Sequence, residues 1–212
     1  MKNLQKISQI SFILLLNFLV LVGISSANAQ SIAKRVGKSS TSGNGMSPVI
    51  YRAKTVVLDE KNAYMRENVT TEYNNGTTIE RSSYYVDWGL WKSAKGTFLG
   101  CAKHISDAML SFDSGGCNLT FQDENNNLAP NLYDEKLVIS SFREALDKMS
   151  AKGAEGTEVF YAEMPRKGTT IKLYIALKSE MDKNQGVPKW KMLFGELQFN
   201  KKTGKFTFVS KS

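Results

Sequence analysis

The stretch GCAKHISDAMLSFDSGGC, Gly100 to Cys117, holds both cysteines of the chain and its only histidine. Three chemistries fit those residue types. On a helix, Cys101 and His104 are i, i+3 neighbours, and an imidazolium beside a thiol favours the thiolate that attacks an acyl carbon. Cys101, His104 and Cys117, with Asp107 or Asp113, make up the donor number of a zinc site. Third, Cys101 and Cys117 could simply bond to each other. Closing the 15 intervening residues would stabilise the fold by roughly 3 kcal/mol in the chain-entropy model. The segment that precedes them decides among these. An exported chain with two cysteines meets an oxidising compartment, so the expectation is a Cys101–Cys117 disulfide with no metal and no cofactor. His104 is left on the boundary of an apolar face, with no role assigned.

Other catalytic signatures are missing or incomplete. Asp123, Asn125 and Asn127 have the 1-3-5 spacing of a calcium loop with Asp134 at position 12, but position 6 is Leu128, where the loop needs glycine. No G-x-S-x-G elbow and no glycine-rich phosphate loop occurs. Trp88 and Trp91 read as closing the end of a core rather than as a sugar-stacking pair. A pair of carboxylates meeting in space leaves no trace in sequence, so a hydrolase with a carboxylate pair or a Cys101/His104 centre stays as the alternative reading.

The extended signal is positive charge. If the C-terminal strands alternate as written, Lys172, Tyr174, Lys178, Lys189, Lys191 and Lys205 share one outward face, with Lys211 beside them. A cationic sheet with an aromatic suits a protein partner or an anionic polymer. The leading expectation is therefore a non-enzymatic binding protein. Export makes nucleic acid an unexpected partner, and oligomeric state is not legible.

The elements that would position these residues follow from pattern. Lys2, Lys6, the apolar run Ile10–Gly23 and Ala27-Asn28-Ala29 have the layout of a secretory signal peptide over 1–29, pointing to a periplasmic or secreted protein. The run is too short to span a bilayer, and no transmembrane segment is expected once the signal is removed. The net charge of +8 falls to about +6 without Lys2 and Lys6. Residues 30–47, rich in Ser and Gly, read as a flexible basic tail, and 48–212 as a single domain.

Within that domain, strands are expected from Val49, over Ala63–Tyr73, and after the Asn75-Gly76 turn over Thr77–Val86. A helix starting at Cys101 and a longer one over Tyr133–Ala151 follow from apolar spacing. Strands close the chain over 158–164, 169–178, 189–200 and beyond, with a bulge expected at Gly195 where the apolar phase switches. The sum is an α+β fold, a long helix packed on a curved antiparallel sheet with a second shorter helix. In outline it resembles a cystatin-type or NTF2-like roll, without a motif of either family.

Overall fold

The computed structural model describes residues 31–40, 49–74, 79–104, 119–150, 158–177 and 187–211. The signal peptide, the Asn75-Gly76 turn, Asp107, Asp113, Cys117 and Lys178 lie outside the described residues. A helix, α1 (Ile32–Ser40), precedes five strands: β1 (Val49–Asp59), β2 (Tyr64–Asn74), β3 (Ile79–Ser93), β4 (Gly96–His104) and β5 (Leu119–Gln122). They form one antiparallel sheet in sequential order. Helix α2 (Glu135–Ser150) leads to the second antiparallel sheet: β6 (Glu158–Glu163), β7 (Thr170–Leu177), β8 (Lys191–Asn200) and β9 (Lys205–Ser210).

The expected α+β roll is therefore wrong. The chain is predominantly β, with two separate antiparallel sheets instead of one curved sheet beneath a long helix. Two misread segments account for much of the error. The run after Val86 does not leave the sheet: β3 continues through Trp88 and Trp91 to Ser93. Cys101 to His104 is not the start of a helix but the end of β4, paired with Tyr85–Trp88 of β3.

Both faces of the first sheet are buried in parts of β2, β3 and β4, which obscures a simple alternation there, whereas β1 is largely exposed. One face carries Tyr64, Trp91, Ala102, Leu119 and Phe121 into the main core. Trp91 anchors it, edge-on to Phe121 and Phe206 at 5.7 and 5.4 Å, with its indole N–H donating to the Thr169 carbonyl at 3.0 Å. Its ring needs bare backbone beneath it. A Cβ on either Gly89 or Gly100 would come within 2.5 Å of the indole. The β3–β4 register brings these two glycines face to face.

The other face of the sheet is covered by α1, whose Ile32 and Val36 bury against Met65 and Leu99. The expected flexible tail over 30–47 is thus corrected for Ile32–Ser40. Short as it is, the helix gains what an isolated one lacks, a packed apolar stripe and a satisfied N-terminus. The backbone N–H groups of Ile32 and Ala33 donate to the Glu60 carboxylate at 3.1 and 3.4 Å. Arg35 is buried, and its guanidinium donates to the carbonyls of Asp123 and Glu124 and to Asn126 Oδ1.

Helix α2 is capped as its sequence implies: Asp134 accepts from the Leu137 N–H at 3.0 Å. Val138, Phe142, Ala145 and Met149 are buried, and Phe142 meets Phe160 and Phe194 edge-on. The phase switch at Gly195 is a bulge, since Leu173 pairs with Gly195 and Tyr174 with Leu193.

Candidate functional site

Strand pairing assembles a charged cluster on the core-facing side of the first sheet. Arg66 of β2 lies opposite Asp87 of β3, and Asp87 opposite Ala102 of β4. Residues two apart on a strand share a face, so Tyr64 and His104 join them. The Asp87 carboxylate accepts from Arg66 Nε and Nη2, both at 2.6 Å, from the Tyr64 hydroxyl at 2.8 Å, and from His104 Nε2 at 3.1 Å. An ionised carboxylate can only accept, so His104 carries its hydrogen on Nε2 toward Asp87. From the second sheet, the Tyr161 ring of β6 stacks at a tilt on His104, 4.8 Å between centroids.

All five residues are buried. Burial alone would raise the Asp87 carboxyl, but the hydrogen bonds from Arg66 and His104 and their charges outweigh it and hold it well below the usual carboxylate range. Burial and the Asp87 charge push the Tyr64 phenol up to about 12 and raise Tyr161 as well. Burial would lower Arg66, but its bond to Asp87 prevails and raises it. These four groups are therefore fixed in one protonation state around neutral pH.

Above this floor opens a cleft of about 410 Å³ between β2, β3, β6, β7 and the turn after β6. Arg66, Arg166, Lys167 and Lys172 line it against Asp87 and Glu163, an excess of two positive charges. The guanidinium of Arg166 lies over the Tyr64 ring, 4.8 Å from its centroid. Arg166, Lys167 and Lys172 are exposed, and none has an ion-pair partner among the described residues. Gly168, at φ 83°, turns the chain just beyond them into β7. A larger concavity of about 640 Å³ lies beside β5 and the start of α2, where two of the polar groups that line it serve the fold. Asp134 caps α2, and the Tyr133 hydroxyl donates to the Leu119 carbonyl at 3.4 Å.

The residues singled out in the sequence are distributed differently from expectation. Cys101 and His104 lie on opposite faces of β4, because three residues along a strand reverse the side. A Cys101/His104 catalytic pair is thereby excluded. Cys101 is a free thiol buried with Val69 and Val86, and burial pushes it up to about 12. The expected Cys101–Cys117 bridge is accordingly not formed in this structure. The zinc set fails on the same opposition of faces, and no cluster of metal-ligating side chains occurs among the described residues.

The calcium-like loop folds around its own acid. Asp123 accepts from the backbone N–H groups of Asn125 and Asn127 at 2.8 and 3.0 Å, while Arg35 supplies the cation for the loop oxygens. Trp88 and Trp91 also face opposite ways. Trp88 donates to Glu67 at 2.9 Å on the side away from the main core, so the two rings cannot form one stacking platform.

Of the residues expected on one lysine-rich face, Lys172, Tyr174, Lys191 and Lys205 share a side of the second sheet by register, Lys189 precedes β8, and Lys178 lies outside the described residues. Lys172 pairs across strands with Glu163 on one side and Glu196 on the other. Lys191 is bound to Glu163 and sits over the rings of Tyr161 and Tyr174, 5.2 and 4.4 Å from their centroids. Lys211 reaches Glu196 at 3.5 Å. Tyr174 is buried rather than displayed, with Val159, Tyr161 and Ala176. Lys189 and Lys205 are exposed.

Sequence reasoning missed Tyr64, Arg66, Asp87, Tyr161, Arg166 and Lys167. A usable signal existed in β2 and β3: Arg66 is in phase with Tyr64, and Asp87 with Trp91. A charge in the core phase of a strand calls for a buried partner. Compared with protein families, with curated proteins and with solved structures, the chain matches none.

Proposed function

We propose that this chain is an exported, non-enzymatic binding protein that holds an anionic group in the cleft between its two sheets. Export rests on the N-terminal layout of Lys2, Lys6 and the apolar run Ile10–Gly23. The observation that carries the binding reading is the concave gathering of Arg66, Arg166, Lys167 and Lys172, three of them exposed. Low-dielectric walls strengthen a charge interaction over its value on an open surface.

Three groups of the floor, Asp87, Tyr64 and Tyr161, are poorly matched to proton-transfer chemistry. A general acid or base works best with a pKa near the operating pH, and Asp87, Tyr64 and Tyr161 are all displaced away from it. Asp87 is also saturated by four donor contacts, which removes it from a hydrolytic carboxylate pair.

The test is calorimetric titration of pyrophosphate, an anion without an apolar part, into the native chain and an R166E/K167E variant at low salt. Binding that is weakened at least tenfold in the variant, and also by 0.5 M salt, is the expected result. Equal binding by both proteins would overturn the cleft as the anion site.

A further inference from the structure

The cleft is not lined by charge alone. Pro165, after β6, and Val187, before β8, present apolar surface to the same cavity that Arg166 and Lys167 line, backed by the buried Met164. Val187 is 36% exposed, an apolar side chain left partly uncovered beside three exposed cations. The Tyr64 ring closes the cavity between Arg166 and the Asp87 cluster. At about 410 Å³ the space is in the range of small-molecule sites, which run from about 300 to 1,000 Å³ and combine apolar walls with a few polar anchors.

We infer that the ligand is a small amphipathic acid, an oxyanion head of carboxylate or phosphate type on a short apolar body. The head meets Arg166, Lys167 and Lys172, and the body lies along Pro165 and Val187. This rests on the anion-binding reading above and adds the apolar half of the ligand. A fully hydrated inorganic anion leaves that wall exposed to water, whereas an apolar body covers it and gains by its burial. Fixed groups below the head favour selectivity: Arg66 is held by Asp87, so the floor does not reorganise when a ligand arrives.

Phenyl phosphate and inorganic phosphate, titrated separately into the full chain, separate the two ideas. Phenyl phosphate should bind about tenfold more tightly, the equivalent of burying part of one ring. Hexanoate should bind better than acetate in the same way, which shows that the preference belongs to the apolar body and not to one head group. V187S, at a half-exposed position, should cut phenyl phosphate affinity several-fold and leave inorganic phosphate unchanged. Equal affinity for phenyl phosphate and phosphate would overturn the amphipathic ligand while the anion site stood. Failure of every probe to bind would overturn both.

Discussion

On the outer face of the second sheet, Lys172 stands between Glu163 and Glu196, Lys191 is tied to Glu163, and Lys211 reaches Glu196. Around the cleft, Arg166 and Lys167 project from a turn with no acid bound to them among the described residues. Both regions combine cations with tyrosines, and both look alike in a list of residues. On the sheet, antiparallel pairing sets Lys172 opposite Glu163 and Glu196, and Lys191 and Lys211 reach the same two acids by ion pairs, so these charges largely cancel locally. At the cleft, the neutralising acid is buried beneath Arg66, and the remaining cations surround a cavity. Lys172 belongs to both regions, and its field is divided between them.

The buried floor should be the most sensitive part of this contrast. D87A removes the acceptor of Arg66, Tyr64 and His104 together, leaving a buried cation unpaired, and should cost about 3–5 kcal/mol in urea unfolding. The acid dependence has a definite sign. Because the folded-state pKa of Asp87 is depressed, its stabilisation is present above the unfolded value near 4 and is lost as pH falls through the folded one. The native chain should therefore lose stability steadily below about pH 4, with D87N showing a flatter profile over that window.

Next in size is α1. R35A strips the cation from three oxygen acceptors in the loop after β5 and should cost about 1–3 kcal/mol, with early hydrogen exchange in Ile32–Ser40. A flexible tail would show no such dependence. R166A should leave stability within about 0.5 kcal/mol and weaken oxyanion binding roughly tenfold. The smallest effects belong to the sheet face: K189A and K205A should change neither stability beyond about 0.5 kcal/mol nor oxyanion affinity measurably. If they weakened binding as much as R166A, the contrast between the two regions would be lost.

Much of the strand order was legible because local signals agreed with tertiary demand. The antiparallel pairing of β2 with β3, the alternation of Ile171, Leu173 and Ile175, and the bulge at Gly195 each follow from one period and its interruption. The fold class was not legible, because Cys101 to His104 fits two periods. The helical spacing that starts at Cys101 draws on later residues that lie outside the described ones, while pairing with β3 makes Cys101 to His104 a strand. The α1 tail was misread for a related reason. Its composition is that of a linker, and only Glu60 and the loop oxygens, far along the chain, turn it into a docked helix.

The candidate site was less legible still. Arg66 and Asp87 are 21 residues apart and meet only through strand register. Tyr161 reaches His104 from the other sheet. His104, the residue of the opening stretch with no assigned role, proves to be one of the donors that hold Asp87 ionised beneath the cleft.

The central claim is that the cleft, not the sheet face, receives the anion. Amide chemical-shift mapping during a phenyl phosphate titration tests it directly. The account predicts the largest shifts at Tyr64, Arg166, Lys167 and Lys172, with Lys189, Lys205 and Lys211 unmoved. Shifts concentrated at those last three, with Arg166 and Lys167 unmoved, would contradict it.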